Sequence, residues 1–359
     1  MILTLLILFA SLVILLRSSE LLIDSAVSIA KFYGVTEFFI GTTIIAFGTS
    51  LPELASSLTA AFSGHTGIIL GNIVGSNITN VTLILGIASI MTVMKIKKDY
   101  FKNKISVLIG IAILFFVASL DGKVSAIEGL LFLVIFVWYI IKEKKETPVM
   151  IETKAKRLLD ELFGNKKNPK ILTDEEIRII KDLDHKTYRE LLSKNADLKK
   201  MFGENKFKKA VNLFSISLIS IVGLVIGAKY LVNSAINIAG ILNINEELIG
   251  LSLIALGTSM PELAVTFTSV KKGLPNILIG NIIGSNVANI LLVGGLTSII
   301  TPIIITPFSL WLAIPFMILT TIMFRNYVKT KWISRALEGI ILLFFYATFL
   351  FFLALSTGV

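Results

Sequence analysis

Two stretches of this chain, IGTTIIAFGTSLPELA at residues 40–55 and IGLSLIALGTSMPELA at residues 249–264, are near copies of each other. The similarity extends well beyond them, because an offset of 209 residues aligns residues 18–86 with residues 227–295 without a gap. Shared polar residues and glycines carry this match as well as shared hydrophobicity. The chain therefore contains two copies of one structural unit.

The composition indicates that this unit lies in a membrane. Of the 359 residues, 55% are hydrophobic, and the mean hydropathy is +0.85. Soluble domains have roughly 45–50% apolar residues. Apolar runs near or above the roughly 18 residues of a membrane span recur between short polar turns. We predict an all-α polytopic membrane protein whose apolar start remains as its first helix. The ten predicted transmembrane helices are residues 2–31, 37–63, 68–94, 105–121, 124–141, 210–242, 246–270, 275–300, 304–324 and 336–356.

The number of spans in each copy predicts how the copies are oriented. Five is an odd number, so the second copy must enter the membrane from the opposite side. The sequence thus predicts two inverted five-helix repeats, residues 1–141 and 210–359, with broken helices at the midplane. Between them, residues 142–209 are hydrophilic, and Thr173 with Glu176 forms a capping-box pattern. We interpret this stretch as a mainly helical cytoplasmic insert.

The distribution of basic residues predicts the orientation in the cell membrane. One side offers only Lys123, beside Asp121, Glu128, Glu246 and Glu247. By the positive-inside rule the opposite side is cytoplasmic, so both termini lie outside. This topology accounts for the net charge of +10, and no nucleic-acid partner is expected. The basic residues of the cytoplasmic short loops are Lys31, Lys95, Lys97, Lys98, Lys102, Lys104, Lys271, Lys272, Arg325, Lys329, Lys331 and Arg335.

Two acidic residues, Glu53 and Glu262, lie inside predicted spans 2 and 7. A buried acid costs about 2.5–3.5 kcal/mol on insertion scales, and a bound cation is the natural compensation. Because each follows a predicted break, on the first turn of a half-helix, the helix dipole favours its ionised form. We therefore expect these two acids to bind a cation.

Proline and glycine predict where each span breaks. Pro52 and Pro261 have no N–H, so the carbonyls of Gly48 and Gly257, four residues earlier, lose their helical donors. Glycine then permits backbone angles that turn further carbonyls toward a cavity. Hydroxyl oxygens occur at the same breaks, at Thr49, Ser50, Thr258 and Ser259. Carboxylate, hydroxyl and carbonyl oxygens, in a chain without cysteine, indicate a site for a hard cation such as Ca²⁺ or Na⁺.

The partner spans 3 and 8 carry a second duplicated pattern, G-N-I-x-G-S-N-x-x-N. Residues four apart share a helix face, so its serine and its last asparagine face the same way. Gly, Ser and Asn also serve as packing and hydrogen-bonding residues between membrane helices, and this alternative stays open for Asn72 and Asn281. The polar residues of the pattern are Asn72, Ser76, Asn77 and Asn80, repeated as Asn281, Ser285, Asn286 and Asn289.

Both motifs resemble the paired α-repeats of the sodium/calcium exchanger family, in the cation/Ca²⁺ exchanger superfamily. The resemblance covers both membrane halves, and the insert lies outside it. It implies a Ca²⁺ site formed by Glu53, Glu262 and the backbone oxygens of Thr49 and Thr258. It implies that Asn80 and Asn289 close the middle of the site. It also implies flanking Na⁺ sites with contributions from Ala46, Ala255, Ser50, Ser259, Ser76 and Ser285.

The resemblance implies an antiporter that exchanges Na⁺ for Ca²⁺ by alternating access. The K⁺-dependent branch has aspartate where this chain has Asn289, so we expect K⁺-independent exchange. Ca²⁺ and Na⁺ are the expected partners besides the bilayer, as transported ions and not as cofactors; no cofactor and no protein partner are expected.

Other functions remain open at this point. They are a Ca²⁺/H⁺ or other divalent-cation antiporter, a channel, and an intramembrane protease with paired acids. A protease would be expected to use two aspartates that share a proton, and inverted broken helices favour a carrier over a channel, so we expect a transporter and not an enzyme.

Overall fold

The computed structural model describes residues 2–32, 45–92, 94–95, 98–146, 206–271, 275–329, 332–333 and 336–356. Most of the predicted insert, including Thr173 and Glu176, lies outside the described residues, and so does the start of predicted span 2.

Helices dominate the described chain, as the sequence predicts. The helices of the first half are α1 (Ile2–Phe32), α2 (Ile45–Thr49), α3 (Leu51–Phe62), α4 (Thr66–Thr79), α5 (Leu85–Met91), α6 (Lys98–Ala118) and α7 (Ala126–Glu146). The helices of the second half are α8 (Lys206–Leu242), α9 (Glu246–Ile249), α10 (Ala255–Thr258), α11 (Met260–Lys271), α12 (Pro275–Val287), α13 (Gly294–Ile300), α14 (Ile314–Lys329) and α15 (Ala336–Ser356).

Four stretches form wider, π-helical turns; three of them join consecutive helices, and the fourth leads directly into α14. They are Asn80–Ile84, Gly250–Ile254, Ala288–Val293 and Ser309–Ala313. Such turns are rare in proteins as a whole, and those that occur often lie at functional sites. The sequence patterns did not predict them.

Length and composition mark the chain as an integral, multi-pass membrane protein. Six helical stretches of the described residues are long and apolar enough to cross a bilayer, and there are seven if the bent pair Glu246–Thr258 and Met260–Lys271 is one span. The ten-span arrangement stays a prediction. The six stretches are Ile2–Ser25, Thr66–Met91, Leu213–Leu242, Ile277–Ile300, Ser309–Tyr327 and Ala336–Ser356.

Two short antiparallel strand pairs connect the halves. Strand β1 (Met94–Lys95) pairs with β4 (Trp332–Ile333), and β2 (Lys123–Val124) pairs with β3 (Ile303–Ile304). At the repeat offset of 209 residues, β1 corresponds to β3 and β2 corresponds to β4. Each strand pair therefore becomes the other when every strand is replaced by its counterpart in the other half.

Two helical rods form the buried centre of the protein. One runs from α4 to α5 and the other from α12 to α13, and most of their residues are buried. The first rod lies close to the backbone of the second half, because a Cβ on Gly75 would stand 2.6 Å from the carbonyl oxygen of Leu251. Small residues of this kind let membrane helices approach closely. The site motifs are thereby placed away from lipid.

The long helices α1 and α8 pack against each other outside this centre. Gly223 of α8 lies against the hydroxyl of Ser18, and Ser217 donates a hydrogen bond to Ser25, 2.9 Å between hydroxyl oxygens. The two longest helices, one from each half, therefore form a pair.

Two charged residues near the ends of predicted spans are buried in helices. Lys104 lies inside α6 and forms an ion pair with Glu143 of α7. Glu247 lies in α9 and accepts hydrogen bonds from Thr306, at 2.9 Å, and from Ser309. The loop assignment was wrong for Lys104, whose buried charge is compensated by a partner on another helix, whereas Glu247 lies inside the predicted span 246–270.

Candidate functional site

Both G-T-S-x-P-E segments form the predicted helix breaks. α2 ends and α3 begins on either side of Ser50, and α10 and α11 are separated in the same way by Ser259. The backbone angles at these serines nearly coincide, with φ −84° and ψ 8° at Ser50 and φ −81° and ψ 9° at Ser259. Glu53 and Glu262 occupy the first turns of α3 and α11. Equivalent sequences therefore adopt equivalent local structures.

The carbonyl freed by the first proline has a partner that the sequence did not predict. Pro52 has no N–H for the carbonyl of Gly48, and the hydroxyl of Ser19 on α1 donates to that oxygen at 3.1 Å. The Gly48 carbonyl is therefore held by α1, and the turning of further carbonyls toward a cavity stays a prediction.

Each buried glutamate is held by a serine from the opposite half. Ser259 Oγ donates to Glu53 Oε1 at 3.1 Å, and Ser50 Oγ donates to Glu262 Oε1 at 3.4 Å. Glu53 is 1% exposed and Glu262 is 0% exposed. Within the described part of the chain, neither carboxylate has a lysine or arginine partner. A hydroxyl of the opposite half therefore faces each buried acid.

Threonine and asparagine side chains form a second pair of hydrogen bonds between the two halves. Thr49 Oγ1 donates to Asn281 Oδ1 at 3.3 Å, and Thr258 Oγ1 donates to Asn72 Oδ1 at 3.1 Å. Thr49 Oγ1 also lies 3.2 Å from Ser285 Oγ. The two broken helices and the two central rods therefore meet in one polar cluster.

Four oxygens of the predicted site residues have no hydrogen-bond partner among the described residues. They are Oε2 of Glu53, Oε2 of Glu262, Oδ1 of Asn80 and Oδ1 of Asn289, and all are buried. Leaving such a group unsatisfied costs about 1–3 kcal/mol, and more when the group is charged. Carboxylate and amide oxygens are the ligands that Ca²⁺ prefers. The donor set therefore fits a hard cation, and both asparagines belong to π-helical turns.

The amide of Asn72 has a structural role. Its Nδ2 donates to the carbonyl of Glu53 at 3.1 Å, to Ser56 at 3.1 Å and to Ser57 at 2.9 Å. These bonds tie α4 to the first turns of α3. The structure thus supports the packing alternative for this residue.

The equivalent amide in the second half is not anchored. Nδ2 of Asn281 and the hydroxyl of Thr266 have no partner in the described chain, although both are 0% exposed. Thr266 is the counterpart of Ser57, and Val265 replaces Ser56, which removes one acceptor. The two halves of the site are therefore not equivalent in detail.

All twelve predicted site residues lie among the described residues, and all are buried. Several of their groups already bond one another. The carbonyl of Ala46 accepts from Thr49 at 3.1 Å, from Ser285 at 3.1 Å and from Ser50 at 3.4 Å. The backbone N–H of Ser259 donates to Ala255 at 3.1 Å.

The remaining predicted groups also lie in this network. Ser76 donates to Asn72 Oδ1 at 3.3 Å. Asn80 Nδ2 donates to Asn286 Oδ1 at 2.9 Å, a contact between the two central rods. Asn286 was part of the duplicated motif but was not predicted as a site residue, because its sequence position alone does not show which neighbour it contacts. Ion binding by the twelve residues stays a prediction.

Comparisons with known proteins agree with the motifs. The family described as sodium/calcium exchanger protein matches residues 3–142 and 212–355. The chain is 35% identical to sodium/calcium exchanger MaX1 of Methanosarcina acetivorans, over 96% of this chain and 97% of that one. It is 28% identical to inner membrane protein YrbG of Escherichia coli, over 88% and 86% of the two chains.

A solved structure has the same fold. The sodium-calcium exchanger NCX_Mj, soaked with 2.5 mM Na⁺ and 10 mM Sr²⁺, superposes with a TM-score of 0.61 at 26% identity, covering 97% of each chain. The predicted resemblance is confirmed by sequence over both membrane halves and by structure over nearly the whole chain. This chain belongs to the sodium/calcium exchanger protein family.

Proposed function

We propose that this protein is a secondary antiporter that exchanges Na⁺ for Ca²⁺ across the cell membrane without requiring K⁺. One observation carries the proposal: four buried oxygens, from Glu53, Glu262, Asn80 and Asn289, have no hydrogen-bond partner among the described residues. They come from both halves of the chain and include two carboxylates. A relative at 35% identity that is itself a sodium/calcium exchanger supports the choice of ions.

The ions occupy this cluster as transported substrates. Ca²⁺ binds between Glu53 and Glu262, with the backbone oxygens of Thr49 and Thr258 as further ligands. Two carboxylates balance the charge of one Ca²⁺, and the amide oxygens of the central asparagines add no charge. Na⁺ ions use the flanking oxygens, with contributions from Ala46, Ala255, Ser50, Ser259, Ser76 and Ser285.

Competition for shared oxygens produces the exchange. Because Na⁺ and Ca²⁺ need the same two carboxylates, one ion type must leave before the other binds. Binding of more than two Na⁺ leaves the loaded site positive, so exchange by such a stoichiometry is electrogenic.

The architecture proposed for this cycle is ten spans in two inverted repeats, with both termini outside. The exchanged strand pairs and the exchanged serine–glutamate bonds support a two-fold relation between the halves. The pair of long helices, α1 and α8, moves across the core and opens the site to one side at a time.

Transport by purified protein in liposomes tests the proposal. Liposomes loaded with Na⁺ and diluted into Na⁺-free medium with ⁴⁵Ca²⁺ are expected to accumulate Ca²⁺, and external K⁺ is expected to have no effect. Substituting choline for internal Na⁺ is the control and is expected to abolish uptake. Uptake that ignores the Na⁺ gradient contradicts Na⁺ coupling.

Further gradients separate the remaining alternatives. Uptake driven by a pH gradient in the absence of Na⁺ identifies a Ca²⁺/H⁺ antiporter. Ca²⁺ flux that needs no counter-ion gradient, and that a membrane potential alone drives, identifies a channel.

A further inference from the structure

The first long helix reaches the ion-binding half-site through one buried hydroxyl. Ser19 Oγ donates to the carbonyl oxygen of Gly48 at 3.1 Å, and Ser19 is 0% exposed. Gly48 lies four residues before Pro52, so the backbone N–H that would form the α-helical bond to this oxygen is absent. Without Ser19 a buried carbonyl would lose the donor that replaces the missing helical bond.

Helix α1 also packs directly on both breaks. A Cβ placed on Gly48 would stand 2.6 Å from Cγ1 of Ile23, and a Cβ placed on Gly257 would stand 2.6 Å from Cδ2 of Leu12. Both neighbours belong to α1. The hydroxyl of Ser19 is therefore held at the Gly48 break by packing on the same helix.

The orientation of the Gly48 carbonyl affects the next residue. This carbonyl belongs to the planar peptide group that includes the N–H of Thr49. A hydrogen bond that holds the peptide plane therefore restricts the position of Thr49, whose hydroxyl contacts Asn281 and Ser285. The contact with α1 is thereby transmitted to the polar cluster.

The equivalent position in the second half carries no hydroxyl. At the repeat offset, Ser19 corresponds to Ala228 of α8, which is buried and carries only a methyl group. The mobile pair of helices proposed above is therefore attached to the two breaks in different ways.

We propose that Ser19 is a positioning residue, which orients the Gly48–Thr49 peptide for ion binding and links occupancy of the N-terminal half-site to the position of α1. The proposal rests on the proposed function for the identity of the ions. Movement of α1 along the core breaks this bond, so ions that need the ordered Thr49 bind best while α1 is in the position seen here.

Three variants test the role of Ser19. Ser19→Ala removes the donor, and Ser19→Thr keeps a hydroxyl. Ser11→Ala is the matched control, because Ser11 is a buried serine of the same helix whose hydroxyl donates to Leu8 of α1 itself, at 2.7 Å. Each variant is purified and placed in liposomes, and the Ca²⁺ concentration for half-maximal uptake is measured together with the maximal rate.

Ser19→Ala is expected to raise the half-saturating Ca²⁺ concentration about five-fold, which corresponds to about 1 kcal/mol. The maximal rate per folded protein is expected to change much less. Ser11→Ala is expected to match wild type, and Ser19→Thr is expected to restore most of the affinity. Equal half-saturation in Ser19→Ala and Ser11→Ala overturns the proposal, and so does a loss confined to the maximal rate.

A binding measurement separates this proposal from the proposed function. The shift in unfolding temperature with added Ca²⁺ or Na⁺ is recorded in detergent for the same variants, without transport. If wild type shows no Na⁺-driven uptake but is stabilised by Ca²⁺, the antiport proposal fails while a weakened stabilisation in Ser19→Ala still supports the role of Ser19. Equal Ca²⁺ and Na⁺ stabilisation in wild type, Ser19→Ala and Ser11→Ala overturns it.

Discussion

Ser259 of the second half donates a hydrogen bond to Glu53 of the first half, with 3.1 Å between Oγ and Oε1. The equivalent bond, from Ser50 to Glu262, has the halves exchanged and a length of 3.4 Å. Each acid therefore takes its orientation from the opposite half. The hydrogen bonds of both acids therefore depend on how the two halves pack against each other.

Replacing either acid with glutamine is expected to abolish Ca²⁺ transport. Glu53→Gln or Glu262→Gln removes one of the two charges that balance Ca²⁺ in a buried site. We expect at least about a 100-fold loss of Ca²⁺ affinity, which corresponds to about 2.7 kcal/mol. ⁴⁵Ca²⁺ uptake and Ca²⁺-dependent thermal stabilisation measure the effect. Glu20→Gln is the control, since Glu20 is exposed and pairs with Arg17. Wild-type uptake in both site variants would remove the two acids from the mechanism.

Adding a third acid is expected to change which ions accompany Ca²⁺. Asn289→Asp gives three buried carboxylates, which one Ca²⁺ leaves with a net charge of −1, so a further monovalent cation or proton must bind. Neither side-chain polar atom of Asn289 has a partner in the described residues, so this change breaks no hydrogen bond seen there. Uptake is measured against K⁺ concentration and pH.

The symmetry-related change provides the comparison. Asn80→Asp loses the amide donor that Asn286 accepts from and places a carboxylate beside that oxygen. We expect this variant to unfold at a lower temperature than Asn289→Asp. Uptake by Asn289→Asp that stays independent of K⁺ and pH would refute the charge argument.

Adding a hydrogen-bond acceptor for Asn281 in the second half is expected to stabilise the protein. Val265→Ser restores the hydroxyl that Ser56 provides in the first half, where Asn72 donates to it at 3.1 Å. It gives the unpartnered Nδ2 of Asn281 an acceptor, for a gain of about 1 kcal/mol. The unfolding temperature in detergent is measured, with Val265→Ala as the control that removes methyl groups without adding an acceptor. A serine variant no more stable than the alanine variant would contradict this account.

Single cysteines test the proposed orientation without background, because the chain has no cysteine. Lys123→Cys is expected to react with a membrane-impermeant maleimide in intact cells, since the β2 segment is predicted to lie outside. Thr173→Cys, in the predicted insert, is expected to react only after permeabilisation. The opposite labelling pattern would invert the topology.

Local chemistry explains which features could be predicted from the sequence. The helix breaks follow from Pro52 and Pro261. A proline removes a hydrogen bond from its own helix, and this effect does not depend on how the helix packs. The burial of Glu53 and Glu262 follows from the apolar segments around them. The buried position of Lys104 was missed, because its compensating partner Glu143 lies 39 residues away in the sequence. The hydroxyl partners of Glu247 lie 59 and 62 residues away, and the sequence did not predict them either.

The sequence by itself determined that this is a membrane protein made of two related halves, with two acids and broken helices at equivalent positions. Those properties depend on hydrophobic length, on internal similarity and on proline, all of which act along the chain. Only the tertiary structure decided that each acid accepts a hydrogen bond from a serine of the opposite half and that Ser19 donates one to the Gly48 carbonyl. Such contacts depend on how helices distant in sequence are packed, which the periodicity of one helix does not specify.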